Sequence, residues 1–199
     1  MLLLTSTSYT PDEDIGLLVD ALKLYSQSHK NNSQLPKIRL IVTGTGPLKK
    51  HFVQKFKEFN EVEEAVKIDT IWLEIDDYPK MVAAADLGVC MHMSSSNLDL
   101  PMKVVDMYSS KLPCFAYNYP TIGELVVSSP SKQPNGALFK TSEDLHNLLV
   151  SHFKDGLEAS LTKLESYRQN LDGFVKESWE DHWTEVMVAG KVFGKDIKI

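Results

Sequence analysis

The run Ile38-Arg39-Leu40-Ile41-Val42-Thr43-Gly44-Thr45-Gly46-Pro47 decides how this chain is read. Ile38 to Val42 is rich in branched aliphatic side chains, which suits a buried strand. The two glycines and the proline then break that strand sharply. Leu48, Phe52, Phe56 and Phe59 follow at helical spacing and mark one apolar helix face. A strand running straight into a helix is the unit of an α/β fold.

The same alternation extends in both directions. On the amino-terminal side, Leu2 to Ser8 (LLLTSTS) reads as a strand with a polar carboxyl end. Thr10-Pro11-Asp12-Glu13 has the form of a capping box with proline at the first helical position. Ile15, Leu18, Val19, Leu22 and Tyr25 share the face of the helix that follows, and His29 to Gln34 reads as a polar turn. On the carboxyl-terminal side, Val66 to Ile71, Leu87 to Met91, Pro113 to Tyr117 and Gly136 to Phe139 read as strands. Helices are expected over Asp76 to Ala85 and Leu100 to Ser109, with a helical turn near Thr121 to Val126. From Ser142 to about Ala189 the pattern is helical, and Trp179 and Trp183, four apart, share a face as packing anchors. The expected fold is a Rossmann-like, doubly wound parallel sheet, with ligands outside the carboxyl ends of its strands. Residues 1–199 read as a single domain, with Ser128 to Asn135 as a surface loop.

Composition narrows the function. With 43% hydrophobic and 24% charged residues, the chain carries enough apolar surface for a packed core. A net charge of −6 argues against a nucleic-acid surface and against a polybasic membrane anchor. No apolar run approaches the roughly 20 residues of a membrane span. Cys90 and Cys114 lie in apolar runs and read as buried thiols, without the histidine pairing a zinc site needs. No metal-ligand cluster or Ser-His-Asp constellation is evident.

The residues that can carry chemistry lie at the expected strand ends. Ser94-Ser95-Ser96-Asn97-Leu98-Asp99-Leu100-Pro101 leads into a helix, so hydroxyls and free N–H groups come together as an anion site suited to a diphosphate. The plain alternative is a turn with Asp99 as helix cap. Lys103 and Asp106 are helix neighbours. Asp106 has apolar neighbours on both sides, so it is either a salt-bridge partner of Lys103 or an acceptor for two ribose hydroxyls, with Lys103 reaching phosphate. Spacing does not decide between the two. Gly44 and Gly46 either ease a tight turn or leave room for a nucleotide. Ser6, Thr7 and Ser8 face the same crevice if the sheet is parallel, although by spacing alone a polar strand-helix connection is the better reading. Asp12, Glu13 and Asp14 fit a helix macrodipole and need no catalytic role. Trp72 stacks on a base or, more often for such a residue, joins the core. His92, usually a structural type of residue, gains interest from the adjoining serines.

The string from His92 to Met107 resembles the signature of the chitobiosyldiphosphodolichol β-mannosyltransferases. Thr5 to Asp14, Thr43 to Leu48 and Trp72 to Pro79 resemble three further signatures of that family, in the same order. The resemblance runs from about Leu2 to Phe139. It implies the second, donor-binding domain of a GT-B glycosyltransferase. By it, GDP-mannose is the donor substrate, with Ser94, Ser95, Ser96 and Lys103 on the diphosphate and Asp106 on the ribose. Ser6, Thr7, Ser8, Gly44, Gly46, Trp72, His92 and Leu100 complete the donor-side set, and no metal or other cofactor is expected. It further implies mannose transfer with inversion to dolichol-linked GlcNAc2 diphosphate, at the cytosolic face of the endoplasmic reticulum. The membrane anchor, the acceptor face and the catalytic base would belong to an amino-terminal domain, and other mannosyltransferases of the pathway become candidate partners. The competing expectation is a nucleotide-binding or scaffolding protein without transfer activity; a sugar-nucleotide hydrolase or epimerase on the same architecture is a third.

Several positions depart from the family pattern. Asn97 and Lys111 stand where glycine is usual, Met93 for threonine and Thr45 for lysine. Of the Glu-x7-Glu pattern of related retaining enzymes only the second acidic position is kept, as Asp106, with Leu98 at the first. This fits an inverting enzyme, as the family is; reduced activity is the alternative reading.

Overall fold

Six strands form one all-parallel sheet in the computed structural model, which describes residues 1–176 and 179–189. They are β1 (Leu2–Thr7), β2 (Ile38–Gly44), β3 (Val66–Ile71), β4 (Leu87–Cys90), β5 (Cys114–Tyr117) and β6 (Gly136–Phe139). Their order across the sheet is β3-β2-β1-β4-β5-β6. The chain builds outward from β1 through β2 to β3, then returns to the other side of β1 for β4. That reversal separates the connections leaving β1 and β4 and opens a crevice at the carboxyl edge.

The helices are α1 (Ile15–Asn31), α2 (Lys49–Val62), α3 (Tyr78–Ala84), α4 (Met102–Ser109), α5 (Ser142–Phe153), α6 (Leu157–Asn170), α7 (Asp172–Lys176) and α8 (Trp179–Trp183). Two apolar layers result, one on each face of the sheet. Leu3, Leu40 and Val89 join Leu18, Leu22, Phe56 and Leu149 of α1, α2 and α5 in one layer. Leu4, Ile41 and Cys90 join Val82, Val104 and Met107 of α3 and α4 in the other. Leu3 and Leu4 thus serve opposite layers, as strand alternation requires. Cys90 and Cys114 are free, buried thiols.

Local chemistry moves several element boundaries. α1 begins at Ile15, where the Asp14 carboxylate caps the Leu17 N–H at 3.1 Å. The capping box expected at Thr10 to Glu13 is therefore not formed; Glu13 is buried in the crevice instead. A true box closes the start of α5, between Thr141 and Asp144. Asp99 does not cap α4 either: its N-cap is Pro101, with no side-chain bond. α1 extends to Asn31, so half of the expected polar turn is helix. Trp183 lies in α8, but the side chain of Trp179 falls outside the described residues, so their shared packing face does too.

Gly44 and Gly46 show why the first two connections lie so close. A Cβ on Gly44 would sit 1.9 Å from the Thr7 carbonyl oxygen, and one on Gly46 1.7 Å from that of Ser8. Backbone, not ligand space, fills the room their missing side chains leave.

Lys111 has φ 55° just beyond α4. Its N–H bonds to the Tyr108 carbonyl at 2.9 Å, and the Leu112 N–H to the Met107 carbonyl at 2.8 Å. These two bonds define a Schellman ending, whose left-handed residue is ordinarily glycine. Replacing that lysine removes an unfavourable Cβ and only an exposed ion pair with Asp172. Lys111→Gly is therefore expected to raise stability by about 1 kcal/mol, read from urea denaturation. Loss of stability would show that the ion pair outweighs the backbone term.

Candidate functional site

The crevice is walled by two connections, Ser8–Asp14 after β1 and Met91–Pro101 after β4, and by the first turn of α4. It encloses about 290 Å³ between Ser8, Asp12, His92, Asp99, Leu100 and Lys103. Larger hollows lie elsewhere, one between α1 and α2, but away from the carboxyl edge that gathers polar side chains.

Three carboxylates organise the polar side chains here. Glu13 is the deepest, with 3% of its surface exposed. Its Oε2 accepts the Thr7 hydroxyl at 2.5 Å and the Ser8 N–H at 2.6 Å. Its Oε1 holds the Lys103 ammonium. The expected macrodipole role for Glu13 is thereby replaced by a place in the site. Only its position among other acidic residues was visible in the sequence, so nothing there distinguished it from Asp12 or Asp14.

Asp99 gathers the serine loop. It accepts the Ser94 and Ser96 hydroxyls, the latter at 3.0 Å, and pairs with His92 Nε2 at 2.7 Å. The Ser94 hydroxyl and His92 hold the Asp99 carboxyl well below the usual carboxylate range. His92 Nδ1 faces Asp12 at 3.8 Å, and its ring meets Tyr119 edge-on at 6.2 Å. Asn97 adopts φ 59°, so asparagine supplies the left-handed turn expected of glycine. The Tyr119 hydroxyl donates to the Asp99 carbonyl and the Thr121 hydroxyl to that of Asn97, pinning the loop from β5's side.

Asp106 is exposed and does not pair with Lys103, contrary to the salt-bridge expectation. The Tyr78 hydroxyl bonds to it and also lies 2.9 Å from the Ser6 hydroxyl. Ser6, Tyr78 and Asp106 thus brace β1, α3 and α4. Partial burial pushes the Asp106 carboxyl up while Tyr78 opposes the shift.

The candidate residues therefore divide. Ser8, His92, Leu100 and Lys103 meet in the crevice. Ser94 is buried beside it with its hydroxyl on Asp99, and Ser95 and Ser96 are exposed on the serine loop. Thr7 is buried and spends its hydroxyl on Glu13 and the Tyr9 N–H. Ser6 turns towards Tyr78. Gly44 and Gly46 lie on the neighbouring connection. Trp72 is 59% exposed rather than in the core, beyond β3 and about 10 Å, two strand spacings, from β1.

Burial pulls the Lys103 ammonium below its ordinary range, and Asp12 pushes it back. No side chain caps α4. The Val104 N–H donates to the Pro101 carbonyl at 3.0 Å, which leaves the N–H groups before it for solvent or a bound anion. Among the described residues no group of three His, Cys, Asp or Glu side chains could hold a metal ion.

The chain is 42% identical over 190 residues to the chitobiosyldiphosphodolichol beta-mannosyltransferase of Candida glabrata, and 38% identical over 192 residues to that of Homo sapiens. Each match covers 94% of this chain. The chain is homologous to the chitobiosyldiphosphodolichol beta-mannosyltransferases. It spans 39% of the length of these two relatives. No protein-family profile matches it. Among solved structures, the pneumococcal O-GlcNAc transferase GtfA superposes with a TM-score of 0.65 at 15% identity, covering 98% of this chain and 36% of that one. The catalytic domain of the cholesterol-alpha-glucosyltransferase of Helicobacter pylori gives 0.57 at 16%, covering 86% and 99%. The fold is that of a domain of GT-B glycosyltransferases.

The Asp99 cluster gives a local prediction. Its stabilising effect is present above the ordinary carboxylate value of 3.8 and is lost as the pH falls through the lowered one. Asp99→Ala should speed amide exchange over residues 94–98 by at least about tenfold. Global stability should change little, since the cluster is exposed. Unchanged exchange would show that Tyr119 and Thr121 hold the loop without it.

Proposed function

We propose that this chain is the donor-binding half of a mannosyltransferase. The intact protein would move mannose from GDP-mannose, with inversion, to the terminal GlcNAc of a dolichol-linked GlcNAc2 diphosphate. The observation that carries the reading is the crevice of a GT-B fold, with Lys103 in the uncapped first turn of α4, in a homologue of enzymes of that name.

In this reaction the acceptor hydroxyl oxygen bonds to the anomeric carbon as the bond from that carbon to the diphosphate oxygen breaks. The hydroxyl proton passes to a base supplied by the remainder of the protein. Negative charge grows on the leaving GDP. Lys103 and the free N–H groups at the start of α4 would receive it, and donors aimed at developing charge are usually the largest catalytic term. The Ser95 hydroxyl would bond the phosphates, joined by those of Ser94 and Ser96 once they turn away from Asp99, and the exposed Asp106 would bond the ribose. No essential metal is part of the proposal. The whole protein would act at the cytosolic face of the endoplasmic reticulum; no helix among the described residues is long and apolar enough to cross a membrane.

A second reading is binding without transfer by this chain alone. It applies to this domain taken by itself, because a donor crevice alone leaves the acceptor unoriented and orientation supplies much of the rate.

Titration calorimetry with GDP and guanosine tests the donor site. Asp106→Ala should weaken GDP by at least about tenfold, as the loss of hydrogen bonds to a charged group. Asp106→Asn should lose less, having one acceptor oxygen left. Lys103→Ala should weaken GDP more than guanosine. Unchanged GDP affinity in a folded Asp106→Ala protein would remove the ribose assignment. Strict dependence of turnover on a divalent ion would remove the metal-free one.

A further inference from the structure

Glu13 poses a question that capping and packing leave open. Its neighbour Asp14 already caps α1. Its carboxylate is nonetheless buried, and burying a charge is costly unless every oxygen is answered. Both are answered, by groups from different parts of the fold. Thr7 and Ser8 fix Oε2 from the end of β1, and Lys103 reaches Oε1 from α4. The backbone around it is fixed as well. Glu13 and His92 form an isolated antiparallel bridge, and the Met93 N–H donates to the Asp12 carbonyl at 2.9 Å.

We propose that Glu13 is the positioning residue for Lys103, holding its ammonium at the floor of the crevice and aimed at the donor diphosphate. The inference rests on reading Lys103 as the diphosphate residue. An ammonium has three N–H donors and no acceptor, so the bond to Glu13 leaves donors for an anion. A lysine stem has four rotatable bonds, and a rigid carboxylate at its tip removes much of the freedom that an anion would otherwise have to freeze. A carboxylate in contact with the ammonium favours its charged form, as the nearby Asp12 does. Lys103 keeps 23% of its side chain exposed, and burial alone favours the neutral amine. The other charged or titratable groups facing it are Asp12 from the β1–α1 connection and His92 and Asp99 from the β4–α4 connection.

Competition for Lys103 is the opposite possibility: Glu13 would hold the ammonium away from phosphate, and its removal would tighten binding. The geometry favours positioning, because Oε2 is fixed by two short bonds and Oε1 therefore has a defined place.

The test is GDP and guanosine affinity as a function of pH for the wild-type chain, Glu13→Gln and Lys103→Ala, each with a melting curve. Glu13→Gln keeps the side-chain shape and removes the charge. It should weaken GDP by at least about tenfold and leave guanosine within about twofold. The alkaline limb of GDP binding, where Lys103 loses its proton, should move to lower pH. A lower melting temperature with an unchanged GDP-to-guanosine ratio and an unmoved limb would make Glu13 merely structural and overturn the proposal. Tighter GDP binding would overturn it in favour of competition. Should Glu13→Gln fail to fold, Glu13→Asp keeps the charge but shortens the reach by one methylene. Selective loss of GDP with the limb unmoved is then expected, and retained affinity counts against positioning. A wild-type chain that binds no GDP removes the donor-site reading itself. GDP binding sensitive to Lys103→Ala but not to Glu13→Gln removes this inference alone.

Discussion

A single buried carboxylate joins the two halves of the sheet at its functional edge. Glu13 follows the central strand, yet its partner Lys103 belongs to the helix after β4, the strand at which the winding reverses. A reversal of strand order leaves adjacent connections splayed apart, which makes the crevice and also leaves it without mutual support. The Glu13–Lys103 pair and the short backbone bridge between Glu13 and His92 supply that support. Ser8, Asp12, His92 and the serine loop take their places from it.

Around this joint the polar groups fall into separate clusters. Asp99 collects hydroxyls on the exposed rim, while Tyr78 ties Ser6 to Asp106 on the α3–α4 side. Glycine does complementary work on the other flank, where Gly44 and Gly46 let one backbone lie on another. The edge is therefore held by loops that touch through main chain on one side and through charge on the other.

Periodicity made most of the architecture readable. The spacing of Leu48, Phe52, Phe56 and Phe59 and the branched run from Ile38 are local patterns, and local patterns survive into three dimensions when packing agrees with them. Boundaries were harder: Thr10 to Glu13 carries the letters of a capping box, but Glu13 gains more from Thr7, Ser8 and Lys103 than from helix N–H groups. The site was legible as a place and less so as a set of pairings. Lys103 and Asp106 are helix neighbours, yet their partners come from residues 90 and 28 positions away in sequence. No local pattern encodes such a choice. Trp72 shows the same limit, since its residue type suggested core and the fold leaves it 59% exposed.

The crowding of carboxylates around one lysine also bears on how fast an anion arrives. Asp12, Glu13 and Asp99 surround Lys103, in a chain of net charge −6. At long range a nucleotide diphosphate therefore meets a repulsive field and feels attraction only on contact. Mobile ions shorten the reach of that repulsion, to about 8 Å at physiological ionic strength, while leaving a buried contact less affected. For this half of the cleft, added salt should raise the association rate of the nucleotide, the reverse of the slowing seen at a site that steers its anion in from a distance.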